Sequence, residues 1–261
     1  MLLDEYNKAI DQLIKKVRTT QKDNIEKAAQ MITDTITSGG KIYLGEICHS
    51  IQMDIINRGG GPVFYKKFEY PKKYKFFNKP FFYKFFVRNT KVDRKNKETD
   101  ASGLSKATWG MAKYALKWAG LKKGDLLMLS SVSGRTVSVV DLAYEAKKMG
   151  IKVIAFTSME YTKTVDPVHP CGKRLYEMVD LAMDNCAPAA EAMIEYPGIE
   201  ARYAAASGIA CNILLWSMTS VAVDKLMAKG ITPGILKSAN YPGGMNYNNT
   251  VIYPTYEKHG Y

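Results

Sequence analysis

Residues 126–136 read Leu126-Leu127-Met128-Leu129-Ser130-Ser131-Val132-Ser133-Gly134-Arg135-Thr136, and the chain continues into Val137-Ser138-Val139-Val140. Four apolar residues in a row after the turn Lys123-Gly124-Asp125 are the pattern of a buried strand. The hydroxyl-rich loop runs into an amphipathic helix over Val137 to Met149, closed by Gly150 in the usual C-terminal position. Strand, loop and helix in this order form the repeating unit of a parallel sheet, whose neighbouring strands need a crossover connection.

Reading outward, the same unit recurs. Leu3 to Val17 and Ile25 to Ile36 carry apolar side chains at helical spacing, with Thr19 or Thr20 available to cap the second helix. Ser38-Gly39-Gly40 ends it, Lys41 to Gly45 is a short strand, and Ile51 to Asn57 is helical. Ala107 to Ala119 reads as a helix, Ile151 to Phe156 as a strand, Gly172 to Met178 as a helix and Val179 to Met183 as a strand. Ala201 to Lys229 reads as long helices, and Ile231 to Tyr261 as an irregular tail. Alternation from 41 to 184 predicts an α/β fold, a doubly wound parallel sheet with helices on both faces and right-handed crossovers. Ligands of such sheets bind at the carboxyl ends of the strands, which places the loops after Gly45, Leu129 and Phe156 along one edge.

With 46% hydrophobic and 24% charged residues, the 261-residue chain has the composition of a folded globule rather than a disordered one. Acids and lysines interrupt Met1 to Lys15, and no stretch approaches eighteen uninterrupted apolar residues, which argues against secretion and membrane insertion. Cys48, Cys171, Cys186 and Cys211 are too scattered for a C-x-x-C pair or a zinc spacing, so reduced thiols in a cytoplasmic protein with no metal site are expected.

The loop after Leu129 brings together hydroxyl donors, a glycine that lets backbone come close, and the free N–H groups of a helix start. That combination suits a phosphate monoester. It has neither a Walker lysine nor a G-x-G-x-x-G, so nucleotide loops do not fit. A plain helix N-cap at Ser133 or Thr136 is the alternative.

The string from Gly124 to Thr136, with Ala143-Tyr144-Glu145-Ala146-Lys147-Lys148-Met149-Gly150-Ile151-Lys152-Val153-Ile154-Ala155-Phe156-Thr157-Ser158, resembles the second and third βα units of SIS (sugar isomerase) domains. Gly172 to Glu177, Asp184-Asn185-Cys186-Ala187-Pro188 and Lys237 to Gly244 resemble an uncharacterised subfamily of sugar isomerase domain proteins related to phosphoheptose isomerase. The resemblance implies a five-stranded, flavodoxin-like sheet. It divides the chain into N-terminal helices (1–38), a SIS domain (39–240) with a basic aromatic insertion (62–100), and a tail (241–261). It also implies a phosphorylated sugar as ligand, no cofactor, and a homodimer or homotetramer with sites near the subunit interface. Ser131, Ser133, Gly134, Arg135 and Thr136 would hold the phosphate, with Ser50, Thr157 and Ser158 near the sugar. Two departures stand out. The family's Gly-rich first loop ending Gly-His-Ser is here Leu44-Gly45-Glu46-Ile47-Cys48-His49-Ser50. Its C-terminal Asp-Glu-His-Asn is replaced by Met245-Asn246-Tyr247-Asn248.

Interconverting an aldose and a ketose phosphate needs a base that carries a proton between C1 and C2 and a second group for the oxygen protons. Related enzymes place a glutamate on the helix after the first loop. Asp54 is the acid nearest that place and Glu46 lies in the loop itself; a solvated carboxylate is the plain alternative for each. His49 at the strand-to-helix junction is a candidate proton shuttle, or a capping residue. His169 matches a family histidine that would reach a neighbouring subunit's site, or is a loop histidine bonded to backbone. Glu195 and Glu160 are weaker candidates. The alternative to an isomerase is a non-catalytic sugar-phosphate sensor, consistent with the lost C-terminal acids.

The formal net charge is +12, but between Pro62 and Lys97 twelve basic residues face two acids, so most of it is local. Aromatic residues interleave these lysines and arginines from Phe64 to Phe86. An arm or lid is the leading reading, a solvated insertion comes second and single-stranded nucleic acid last; steep loss of binding with salt would mark the third.

Overall fold

The computed structural model describes residues 1–69, 110 and 112–261. Most of the basic aromatic segment, 70–97, and the expected start of a helix at Ala107 lie outside the described residues.

Helices α1 (Leu2–Thr20) and α2 (Lys22–Thr37) lead into β1 (Ile42–Leu44), β2 (Tyr65–Lys67), α3 (Ala112–Trp118) and β3 (Leu126–Ser130). Then follow α4 (Val137–Lys148), β4 (Lys152–Thr157), α5 (Met159–Lys163) and β5 (Leu181–Asp184). All five strands pair in parallel in the order β2-β1-β3-β4-β5. The apolar runs alternate between two cores. Ile42, Leu44, Leu126, Met128, Ile154 and Phe156 pack with α1, α2 and the long helix α6 (Ser207–Ala228). Tyr43, Leu127, Leu129, Val153 and Ala155 pack with α3 and α4 on the other face. A strand sandwiched in this way has to be apolar at every position, which is why 126–129 shows no polar alternation. Asp125 pins the sheet's lower edge: Oδ1 accepts the Lys41 N–H at 2.8 Å and Oδ2 the Lys122 N–H at 2.9 Å.

Several local expectations need correction. Ile51 to Asn57 is only a 3-10 turn at Ile51–Asp54, and Gly172 to Met178 only one at Leu175–Glu177. The residues from Ala201 do not begin a helix. A β-hairpin, β6 (Ala192–Tyr196) and β7 (Ile199–Ala205), precedes α6, which starts at Ser207. Tyr65–Lys67, read as the start of a basic arm, is the sheet's edge strand, with Phe64, Tyr65 and Phe68 buried. The tail contains α7 (Gly244–Tyr247) and α8 (Tyr253–His259), and its Pro62–Ile235 bridge ties it beside β2. Neither Thr19 nor Thr20 caps α2; both hydroxyls bond back into α1, and the buried Gln21 separates the helices while its Oε1 accepts the Asp184 N–H at 3.0 Å. Among the described residues α6 is the one helix long and apolar enough to cross a membrane by composition. Its stripe Ala210, Leu214, Leu215, Met218, Ala222 and Leu226 is buried in the first core.

Candidate functional site: a cleft at the strand-order reversal

In this strand order the chain moves to one side after β1 and to the other after β3, so the loops leaving β1 and β3 diverge and open a crevice between them. A cavity of about 410 Å³ occupies that place. The first loop contributes Glu46, Cys48 and His49, the second Ser130 to Ser133 with Thr136 and Ser138, and Tyr161 and Glu191 complete the wall. Glu46, Ser130, Ser138 and Val139 also line a neighbouring cavity of about 750 Å³, which Ser50 and Lys67 enter from the β2 side.

The second loop has the features of an anion cradle. Thr136 is the N-cap residue of α4 by position, yet its hydroxyl does not cap the helix. It instead meets Ser131 Oγ at 2.9 Å, which also receives the Thr136 N–H at 3.4 Å. The plain N-cap reading therefore fails at Thr136. Among the described residues no protein acceptor takes the N–H groups of Val132, Ser133, Arg135, Val137 or Ser138. Those amides stand at the positive end of a three-turn helix, where a dianion is favoured both by hydrogen bonds and by the helix dipole. Ser131 is buried but lines the cavity, and the hydroxyls of Ser133 and Ser138 share it.

Other members of the expected set do different work. Gly134 does not line the cleft. It has φ +66°, and a Cβ there would overlap Thr162 Oγ1 and come within 3.1 Å of Thr162 Cβ, so glycine is required where the loop packs on α5. Ser158 is fully buried, caps α5 by accepting the Tyr161 N–H at 3.0 Å, and donates to the Ala187 carbonyl at 2.6 Å. Thr157 donates to the Val132 carbonyl at 3.2 Å. Both shape the back of the loop and neither reaches the cavity. Arg135 is half-buried, off the cleft, and makes no ion pair among the described residues.

The acid–base candidates divide the same way. Glu46 and His49 are exposed on the cavity wall. Asp54 is not on it: Arg58 pairs with its Oδ1, and the Asn212 side-chain amide donates to its Oδ2 at 2.6 Å. A 3-10 turn replaces the α-helix on which i, i+4 spacing would have swung Asp54 toward the loop. His169 is buried beside Asp141, its Nε2 3.4 Å from Oδ1, and its Nδ1 accepts the Cys171 N–H at 3.1 Å. Nδ1 being an acceptor, Nε2 carries the proton and donates to the carboxylate. Burial pushes the Asp141 carboxyl up, with the His169 hydrogen bond and two backbone N–H groups pulling it back. This pair fastens the loop before β5 to α4 and stands apart from this chain's cleft. Glu195 pairs with Arg202 on the exposed hairpin, and Glu160 lies near Lys16. Among the described residues no cluster of His, Cys, Asp and Glu could hold a metal.

The family model described as the SIS domain matches residues 5–69 and 80–158, more than half of the chain. The chain belongs to the SIS domain family. A UPF0309 protein of Streptomyces griseus is 29% identical over 242 residues, covering 92% of this chain and 89% of the relative. A second UPF0309 protein, from Halalkalibacterium halodurans, is 28% identical, and the match covers 95% of each chain. Among solved structures, phosphoheptose isomerase from Neisseria gonorrhoeae aligns at TM-score 0.49 and 14% identity, over 87% of this chain and 97% of that one.

Two features of this SIS domain's cleft escape a reading of the sequence alone. Glu191 follows β5, has φ +78°, and faces the first loop across the cavity. Its carboxylate accepts the Ser207 hydroxyl, and its carbonyl accepts the Ala206 N–H at 3.0 Å, fixing it at the start of α6. Its place in the loop after a strand's carboxyl end was the available signal. The first loop itself is the other: Cys48, His49 and Ser50 have φ of 36°, 58° and 81°, three consecutive side-chain-bearing residues in the left-handed region. Each such residue costs on the order of 1–2 kcal/mol. Such strain is held at functional sites by the surroundings. Here the Ile47 N–H bonds to Gln52 Oε1 at 2.8 Å, and Cys48 Sγ contacts Ser130 Oγ at 3.2 Å.

Proposed function

We propose that the cleft binds a phosphorylated sugar and interconverts its aldose and ketose forms without a redox cofactor. One observation carries the reading: the unpaired amides of the second loop and a set of acid–base side chains share one cavity. The phosphate sits on the N–H groups of Val132, Ser133 and Ser138 and the hydroxyls of Ser131, Ser133 and Thr136, all of which line the cavity. Glu46 or Glu191 takes the proton from C2 and returns it to C1 through an enediol, while His49 handles the oxygen protons. Asp54, tied to Arg58 and Asn212, has no part in this chemistry, and Thr157 and Ser158 act by shaping the loop. The protein works in the cytoplasm as a homodimer or homotetramer, which light scattering on the purified chain tests.

A non-catalytic sugar-phosphate sensor is the second reading. It draws support from the engagement of Asp54 outside the cleft, which leaves the element after the first loop without a carboxylate at the site. Incubation with hexose, heptose and amino-sugar phosphates in heavy water, following the C2 proton by NMR, separates the two. Exchange supports the isomerase, saturable binding without exchange supports the sensor, and absence of binding contradicts both. A thermal-shift screen of the same compounds is the first step, since ligand at a hundredfold over Kd adds about 2.7 kcal/mol of stability.

A further inference from the structure

Behind the first loop two thiols meet. Cys48 Sγ lies 3.1 Å from Cys211 Sγ and 3.2 Å from Ser130 Oγ. Cys48 borders the cleft, whereas Cys211, in the first turns of α6, is fully buried behind it with the Asn185 amide at 3.8 Å. Cys48 is itself 7% exposed, so of the two sulfurs it is the one on the side of a small oxidant in the cleft. Core packing by itself explains a buried cysteine. It does not explain a second one touching the first across a cleft wall, on a loop whose backbone is left-handed at that residue.

We propose that Cys48 and Cys211 are an oxidisable pair, which a hydroperoxide entering the cleft converts to a disulfide joining the first loop to α6. The Cys48 sulfur attacks the nearer peroxide oxygen and the O–O bond breaks. Cys48 becomes a sulfenic acid, and the departing oxygen takes up the thiol proton and leaves as water or alcohol. The Cys211 sulfur then attacks the Cys48 sulfur, the S–O bond breaks, and the hydroxide leaves as water with the Cys211 proton. Two thiols lose two electrons and the peroxide gains them. The roles follow from the surroundings. Hydrogen bonds from Cys211 and Ser130 hold the Cys48 thiol below its usual range despite its burial, while burial pushes Cys211 well up. The sulfur bordering the cleft therefore attacks first and the buried one resolves. Closure needs the sulfurs to approach by about 1 Å, to the usual S–S length of about 2.05 Å. It draws Cys48 away from Ser130, at the head of the phosphate loop. Any consequence for ligand rests on the sugar-phosphate reading, whereas the thiol chemistry does not.

The reduced, full-length protein is treated with one equivalent of hydrogen peroxide, alkylated, and digested without reductant. Reactive thiols should fall from the four present to two, with Cys48 and Cys211 recovered in one cross-linked peptide and Cys171 and Cys186 alkylated. Cys211→Ala should instead leave a sulfenic acid at Cys48 that a cyclic diketone traps. Oxidation that falls first on Cys171, or that proceeds as fast in Cys48→Ala as in the unaltered chain, overturns the proposal, and the unaltered protein's peptide map decides it even if a variant does not fold. Phosphorus NMR of inorganic phosphate with the reduced and oxidised protein reads the cleft separately. A cross-link with no phosphate binding in either state supports the thiol pair and counts against the sugar-phosphate reading.

Discussion

Substituting Gly134 by alanine should damage the loop after β3 from the side that packs on α5. Residue 134 has φ +66°, a conformation that costs a side-chain-bearing residue about 1–2 kcal/mol. The new methyl would also overlap Thr162 Oγ1, and overpacking of this kind costs about 1–3 kcal/mol more. The Gly134 carbonyl accepts the Leu175 N–H at 2.8 Å, so the loop cannot drift away without breaking a second connection. The expected loss is therefore about 2–5 kcal/mol, read from urea unfolding at equilibrium. Thr162 Oγ1 is buried with no hydrogen-bond partner among the described residues, so Thr162→Ala alone should change stability by less than about 1 kcal/mol. Combined with Gly134→Ala, it removes the overlap with Oγ1 but leaves the 3.1 Å approach to the residue-162 Cβ and the backbone cost of about 1–2 kcal/mol, so the double variant should recover only part of the loss. A single Gly134→Ala loss under about 0.5 kcal/mol, within the range of ordinary surface changes, would refute this reasoning, as would a double variant no more stable than the single one.

Ser131→Ala removes one hydroxyl from the anion cradle; a hydrogen bond to a charged group is worth about 1.5–3 kcal/mol, so sugar-phosphate affinity by calorimetry should drop about 10- to 100-fold. Of Glu46→Gln and Glu191→Gln, the change at the base should slow C2 proton exchange by about 10²–10⁴ while binding persists; exchange unaffected by both contradicts the assignment. Asp54→Asn should leave exchange nearly unchanged, and losing its exposed pair with Arg58 should cost at most about 1 kcal/mol. Asp141 titrates above the ordinary carboxylate range in the folded protein, so what it contributes is fully present below its unfolded value and lost as pH rises through the folded one. The stability of the unaltered chain relative to Asp141→Asn should accordingly decline from about pH 4 upward, and melting curves at a series of pH values check it.

Much of the sheet was readable because strands buried on both faces exclude polar residues, as Leu126 to Leu129 and Val153 to Phe156 do. The loop after β3 was legible for the same reason, since a hydroxyl cluster between such a strand and an amphipathic helix has one place to go. The edge strand was not, because Tyr65-Lys66-Lys67 carries two lysines where only one neighbour and one core constrain it. The hairpin is hidden although Pro197-Gly198 marks its turn, with Gly198 at φ +83°. Alanines at 201, 204 and 205 look helical until pairing of Ile194 with Tyr203 and of Ala192 with Ala205 fixes them in a strand, which Ala206 leaves for α6. Within the cleft, Ser131, Ser133, Thr136, Glu46 and His49 are reached from their loops alone. Asp54 is misplaced by assuming α-helical periodicity, and Thr157 and Ser158 by position alone, since sequence does not say which side of a loop a hydroxyl faces. Glu191 escapes notice because its approach to the first loop depends on α6 and the hairpin, which bring together residues more than a hundred positions apart.

Amide chemical shifts of the labelled protein, followed while a sugar phosphate is titrated in, bear most directly on the cleft. The amide protons of Val132, Ser133 and Ser138 should move downfield together and saturate at a single affinity. Shifts confined to surface lysines, or a second loop that stays still while ligand binds elsewhere, would contradict the assignment of this cleft as the phosphate site.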